Sequence, residues 1–267
     1  RKASARSARP AQPGENMPIG RIKIYAHRGA MITSPENTLE SLARAKREGV
    51  DGIELDVQLS ADGELFIFHD DNAMRVCGRD VPVAKLKWRE LKDLKVFGKY
   101  AIPHLDDALE DMEGWPAAEL FLDLHQPSVS LAEATARRVA SSPVRERTFL
   151  LDFYKSRHLL FAAKKAVPSV RLAVMPGPPW DTKASCDMGA EAISLGWDGK
   201  LTRVLYRAAC AVYDLPAQVV KAKARGVSVS GGVANDPAAV RYFVAQGMDA
   251  VWTDDLAMAR RTLEQAE

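Results

Sequence analysis

Gly52-Ile53-Glu54-Leu55-Asp56-Val57-Gln58-Leu59-Ser60-Ala61-Asp62-Gly63-Glu64-Leu65-Phe66-Ile67-Phe68-His69-Asp70 is the stretch from which the fold can be read. Apolar Ile53, Leu55 and Val57 alternate with Glu54 and Asp56, the period of a strand with its acids on one face. Asp62-Gly63 between two strand-like runs is a two-residue hairpin signal. Ala61 opposite Glu64 across that turn places Asp56 opposite His69, with Glu54 on the same face.

Working outward, short aliphatic runs alternate with longer stretches of helical period, the pattern of repeated βα units around a parallel sheet. Strands are expected at Ile22–Ala26, Gly52–Leu59, Leu120–Leu124, Thr148–Leu151, Arg171–Val174, Ala192–Leu195, Val227–Ser230 and Ala250–Trp252. Helices are expected at Thr38–Glu48, Leu131–Ala140, Ser156–Ala166, Leu201–Val212, Ala217–Ala224, Pro237–Gln246 and beyond Asp255. Eight strands with intervening helices predict a closed (β/α)8 TIM barrel, with the hairpin arm and a small insertion, about residues 71–104, after the second strand. The insertion carries its own short helix around Trp88–Leu94.

Composition agrees with one large domain over residues 21–267 of the 267-residue chain. Hydrophobic residues make up 47% and charged residues 27%, enough for a sizeable core and incompatible with global disorder. A formal charge of +2 is far from the cationic excess of a nucleic-acid binder. No apolar run approaches the roughly 20 residues of a membrane span. Residues 1–20, basic and rich in Ser, Ala and Pro, read as a disordered leader, of expression or upstream origin, outside the fold. Cys77, Cys186 and Cys210 stand singly, which favours a reducing, cytoplasmic setting. A homo-oligomer is compatible with the sequence.

Barrel enzymes carry their chemistry at the C-terminal ends of strands. The first strand ends in Ala26-His27-Arg28-Gly29, where Arg28 has the planar fork to grip a phosphate and Gly29 lets backbone approach a ligand. In Ser34-Pro35-Glu36-Asn37-Thr38, either Asn37 or Thr38 is a helix N-cap. Glu54 and Asp56 repel each other unless neutralised, and a hard divalent cation, Mg²⁺ or Ca²⁺, is their natural partner. Asp123 and His125 repeat the spacing on the third strand, Asp123 as a third metal ligand and His125 as a ligand or a substrate contact. Two histidines, His27 and His69, beside a cation and an arginine suit phosphodiester cleavage, one taking a proton and the other giving one. Trp197-Asp198 and Trp252-Thr253-Asp254-Asp255 are less decisive, and Asp255 fits a cap for the last helix.

His27-Arg28-Gly29, Pro35-Glu36-Asn37-Thr38, Gly52-Ile53-Glu54-Leu55-Asp56-Val57, Asp62-Gly63 and His69-Asp70, in this order and at close spacing, resemble the glycerophosphodiester phosphodiesterase family. The resemblance runs from about Ile22 through Ile102-Pro103 to Gly247-Met248-Asp249-Ala250-Val251-Trp252-Thr253-Asp254. It implies a TIM-type barrel and metal-dependent hydrolysis of small glycerophosphodiesters, such as glycerophosphocholine, to glycerol 3-phosphate and an alcohol. It further implies His27 and His69 as the acid/base pair, Arg28 as a phosphate contact, Glu54 and Asp56 as the first two metal ligands, and Glu36 and Asn37 as residues bordering the site. Two departures stand out. Where the family commonly has Glu and then Lys two positions on, this chain has Asp123 and His125, and where the family tends to carry a Trp-Thr-x-Asn run it reads Ser230-Gly231-Gly232-Val233-Ala234-Asn235. Loss of that aromatic is expected to widen the pocket, which admits a lysophospholipid or a sugar phosphodiester. Phe97, Tyr100 and Pro176-Gly177-Pro178-Pro179-Trp180 are the candidate apolar groups at the mouth for such a substrate. A barrel that binds a phosphorylated metabolite without turnover is the rival from another class, and it leaves the two histidines unexplained.

Overall fold

The computed structural model describes residues 21–197 and 200–265, so the leader and Asp198 lie outside the described residues. In chain order the strands are β1 (Lys23–Ala26), β2 (Gly52–Leu59), β3 (Leu65–Ile67), β4 (Lys95–Val96), β5 (Tyr100–Ala101), β6 (Glu119–Leu124), β7 (Thr148–Phe153), β8 (Arg171–Met175), β9 (Ala192–Leu195), β10 (Ser228–Val233) and β11 (Ala250–Thr253). β1 pairs in parallel with both β2 and β11, which closes β1, β2 and β6–β11 into an eight-stranded barrel. β3 adds to β2 as an antiparallel arm, and β4 and β5 form a small hairpin in the insertion. All eight expected barrel strands are present, shifted by a few residues at their ends.

The pleat separates two apolar sets. Ile53, Leu55 and Val57 on β2, Leu120, Leu122 and Leu124 on β6, and Leu150, Leu172, Ile193 and Val251 face outward into the layer shared with the helices. Tyr25, Phe121, Phe149, Leu151, Ala173, Ala192, Ala250 and Trp252 fill the interior. There the rings of Phe121 and Phe149 stack at 4.8 Å, and Tyr25 lies 4.7 Å from Trp252. Gly52 is required at its interior position, because a Cβ there would meet the Tyr25 ring at 2.8 Å. Glu54 and Asp56 share Gly52's parity one and two steps further along the strand, so they stand above the aromatic layer.

The arm differs from the expected register. Val57 pairs with Ile67, Gln58 with Phe66 and Leu59 with Leu65, so the partner position of Asp56 is Phe68 and not His69. The loop is three residues long, Ala61-Asp62-Gly63, with Gly63 at φ +88° in the left-handed position that a three-residue hairpin demands. Asp62 leaves the turn's tip to accept from the backbone N–H of Trp88 at 2.8 Å, which pins the insertion to the arm. The insertion has its own small core of Phe66, Phe68, Val76, Val83, Leu91 and Ile102. Its helix is shorter than expected, Trp88–Leu91.

At Ser230-Gly231-Gly232 the strand is closely packed on its helix side and against the chain leaving β9. The Phe243 ring lies where a Cβ on Gly231 would go, Gly232 packs against the Gly196 backbone, and Ser230 Oγ accepts from the Trp252 indole N–H at 2.9 Å.

Candidate active site

The C-terminal ends of β1, β2 and β6 and the chain leaving β3 bring His27, Arg28, Glu54, Asp56, His69, Asp123 and His125 together, as the strand parities require. After β1 the chain turns sharply. Arg28 takes φ +54°, Gly29 φ +84°, and Gly29 packs so close to Ser41 that any Cβ would collide with it. This turn aims the Arg28 backbone N–H at Glu54 Oε2, 2.9 Å away. Thr38, not Asn37, caps the following helix, accepting from the Ser41 N–H. Asn37, at φ +54°, instead ties the loop to β2: its Nδ2 donates to Asp56 Oδ2 at 2.6 Å and its Oδ1 accepts from the Asp56 N–H at 3.1 Å.

Each of the two expected acid/base histidines is backed by a carboxylate. His27 Nδ1 lies 2.7 Å from Asp254 Oδ1, and His69 Nδ1 lies 2.6 Å from Asp70 Oδ1. Such a partner fixes the ring and leaves Nε2 for chemistry. Burial disfavours the His27 imidazolium, but the Asp254 hydrogen bond and the Glu54 charge outweigh it and raise its pKa. His69 reaches the site although it is not paired with Asp56. The buried Gln58 amide gathers the Phe68, His69 and Asp70 carbonyls at 2.8, 2.9 and 3.1 Å and bends the chain back over the barrel.

Three carboxylates share the interior. One oxygen each of Glu54, Asp56 and Asp123 lie within 4.8 Å of one another. Burial and the neighbouring Asp56 charge push the Glu54 carboxyl up to about 8. Burial also acts on Asp56, but His125 and Arg28 hold it down at about 2. Asp123 is raised by burial. Glu54 Oε1 is buried without any hydrogen-bond partner. An orphaned, buried carboxylate oxygen among three clustered acids fits a hard divalent cation, whose charge would remove the cost of the cluster. The acid trio of Glu54, Asp56 and Asp123 is the set that would hold it.

Positive charge surrounds this trio. His125 Nδ1 lies 3.2 Å from Asp56 Oδ1 and 3.9 Å from Asp123 Oδ2; burial opposes its charge, yet these two carboxylates raise it to about 10. Its ring sits 4.1 Å from that of His69. The Arg28 guanidinium, expected as a phosphate contact, is held by Glu36 Oε1 at 3.1 Å and lies 3.2 Å from Asp56 Oδ2.

Two residues in this constellation were not singled out from sequence. Asp254 directly follows β11 and orients His27; the sequence offered it only as part of the less decisive Trp252-Thr253-Asp254-Asp255 strand end. Arg75, from the insertion, donates to both Glu36 oxygens at 2.8 Å and to both Asp70 oxygens at 2.6 and 2.8 Å, so one guanidinium ties the carboxylate behind Arg28 to the carboxylate behind His69. No local pattern announces it. Asp255 accepts from the Met258 N–H as the cap of the last helix.

Residues 27–258 match the pattern of the Glycerophosphoryl diester phosphodiesterase family. A glycerophosphodiester phosphodiesterase of Bacillus altitudinis is 29% identical over 163 residues, which are 57% of this chain and 66% of that one. One of Caldanaerobacter subterraneus is 42% identical over 71 residues, 27% of this chain and 29% of that one, so the matched stretches leave more than a third and most of these relatives' lengths uncovered. A phosphodiesterase of Oleispira antarctica, solved in complex with the product sn-glycerol-3-phosphate, superposes with a TM-score of 0.73 at 25% identity over 91% of this chain and 96% of its own. A glycerophosphodiester phosphodiesterase of Agrobacterium tumefaciens shares the fold, with a TM-score of 0.71 at 24% identity over 90% of this chain and 100% of its own. The family pattern begins at the first site histidine and ends in the last helix of the barrel, and the chain belongs to the glycerophosphoryl diester phosphodiesterase family.

Proposed function

We propose that the chain hydrolyses glycerophosphodiesters to glycerol 3-phosphate and an alcohol. The observation that carries this reading is the pair of carboxylate-backed histidines, His27 and His69, beside the buried acid trio. A divalent cation on Glu54, Asp56 and Asp123, Mg²⁺ or Ca²⁺ by its oxygen ligands, would supply charge neutralisation at the phosphoryl oxygens. The side chains do the rest. One imidazole accepts at Nε2 a proton from the water whose oxygen forms the new bond to phosphorus, and the other donates one to the alkoxide oxygen whose bond to phosphorus breaks. Asp254 and Asp70 hold the two rings in the tautomer that exposes Nε2. Arg28 and His125 add positive charge beside the phosphate position, Glu36 fixes Arg28, and Asn37 fixes Asp56. The product found in the Oleispira antarctica phosphodiesterase supports the same cleavage here.

A lysophospholipid as substrate is the second reading. Phe97 and Trp180 are each more than half exposed, and Phe97 follows Val96, which lines a groove with His69, Arg75 and Glu36. The three unpaired cysteines support a cytoplasmic location, and among the described residues no helix is long and apolar enough to cross a membrane.

The test is release of glycerol 3-phosphate from glycerophosphodiesters and lysophospholipids, with Mg²⁺, with Ca²⁺ and with chelator. Metal-dependent release is expected, with His27→Ala and His69→Ala each losing at least about a hundredfold in kcat while remaining folded. Diester binding without release would favour the non-catalytic reading, and near-normal turnover in either variant would remove that histidine from the mechanism.

A further inference from the structure

A second set of ligand atoms lies beside the acid trio. Asp56, His69 and His125 bring one carboxylate oxygen and two ring nitrogens, one from each histidine, within 4.8 Å of one another. Asp56 Oδ2 accepts from the Asn37 amide and lies 3.2 Å from Arg28 Nε, whereas its Oδ1 faces His125 Nδ1 at 3.2 Å. His69 Nδ1 is engaged by Asp70 at 2.6 Å, which leaves Nε2. The two imidazole rings stand 4.1 Å apart, tilted by 37°. Asp56 is buried, while the His69 and His125 side chains are 28% and 31% exposed, so the group is reached from solvent.

We propose that Asp56, His69 and His125 form a second cation site, for a nitrogen-seeking divalent metal of the Zn²⁺ class, whose occupation withdraws His69 from proton transfer. The donor set makes the choice. Mg²⁺ and Ca²⁺ take oxygen ligands, which Glu54, Asp56 and Asp123 offer, whereas two imidazoles and one carboxylate suit Zn²⁺. Three such ligands with an open fourth position make up the protein's part of a tetrahedral zinc site. Ligand atoms ~2.0 Å from a tetrahedral ion stand about 3.3 Å apart, and Asp56 Oδ1 and His125 Nδ1 stand at 3.2 Å. A metal-bound imidazole is characteristically held by a carboxylate on its other nitrogen, and Asp70 fills that place behind His69. His125 lies against both Asp56 and, at 3.9 Å, Asp123, so a cation bound there takes the place of an imidazolium charge. Only Asp56 belongs to both ligand sets, and Glu54 belongs to the trio alone. The inhibition rests on the proposed hydrolysis: the Nε2 lone pair that holds the metal is the one that proton transfer needs.

The test is calorimetric titration of the full chain with Zn²⁺ in excess Mg²⁺, where binding of one Zn²⁺ is expected. His125→Lys keeps a positive charge and loses the ring nitrogen, and it should weaken Zn²⁺ binding by at least about tenfold. His69→Ala, a second variant that removes a ligand, should weaken it as much, while Glu54→Gln should leave it close to the parent's. On a glycerophosphodiester cleaved with Mg²⁺, Zn²⁺ should inhibit the parent with a midpoint that matches the titration, and the remaining rate of His125→Lys should resist it. Absence of Zn²⁺ binding, or binding undiminished in His125→Lys and His69→Ala, overturns the site. So does an equal loss in Glu54→Gln, which would put the ion in the acid trio. Zn²⁺ that binds without lowering the rate overturns its hold on His69. The titration needs no turnover, so a chain that cleaves no diester would sink the proposed hydrolysis while the metal assignment is still decided by binding.

Discussion

Glu54, His27 and His125 each bind their proton more tightly in the folded chain than in the unfolded one, and this makes stability depend on pH in one direction. Glu54 rises from 4.5 to about 8 and His125 from 6.5 to about 10, while His27 rises from 6.5. Across those intervals the native state holds more protons, so unfolding free energy falls as pH increases. The contribution of His125 is complete below 6.5 and disappears as pH passes its folded value. Asp56, held at about 2, acts oppositely, but only in strong acid. In chelator, the melting temperature should therefore drop between about pH 6 and about pH 9, and Glu54→Gln should flatten the lower part of that drop. Mg²⁺ or Ca²⁺ should stabilise more at the alkaline end, because the carboxylates must shed protons to ligate. Scanning calorimetry decides it, and a melting temperature that climbs with pH in chelator would contradict this electrostatic picture. At this scale His27, Glu54, Asp56 and Asp123 were legible because strand parity and strand ends are local properties. Arg75 and Asp254 were not, since their partners Glu36 and His27 lie 39 and 227 positions away and only the folded chain brings them near.

Among elements, the hairpin arm shows how a short motif can be right in kind and wrong by one residue. Asp62-Gly63 fits a two-residue loop and also the last positions of a three-residue one, and the left-handed Gly63 belongs to the second. The one-place slip alters every cross-strand partner, yet His69 still arrives, because Gln58 binds three carbonyls past the end of the ladder. Gln58 is itself held by Gln126, whose Nε2 donates to its Oε1 at 3.0 Å. Gln58→Ala should cost about 1–3 kcal/mol in urea unfolding by leaving buried carbonyls unsatisfied. It should also lower kcat severalfold by freeing the segment that carries His69. An unchanged kcat beside a lowered stability would show that His69 is positioned by Asp70 and Arg75 alone. The helix Lys200–Val212 exposes a related limit: periodicity marks an amphipathic helix, but only packing shows which face it turns to the barrel.

For the whole molecule, the barrel was legible because eight aliphatic runs, each with outward Leu, Ile or Val, can satisfy their edges together only by closing. What sequence did not disclose is how tightly barrel and helices fit. Gly231 stands beneath Phe243, where a Cβ would approach the ring at 2.3 Å. Gly231→Ala should destabilise by about 1–3 kcal/mol through overpacking, read from the urea midpoint. A midpoint equal to the parent's would mean that the helix Pro237–Ala245 can shift to make room. The rings of Tyr25, Phe121, Phe149 and Trp252 give this closed form a further meaning. They floor the interior, so among the described residues the acids are approached from the C-terminal ends of the strands. For a diester cleaved there, two fragments must back out along the path by which the next diester arrives. Whichever fragment lingers blocks the queue, and the phosphate-bearing one, gripped by the charges at the far end, is the one left holding the door.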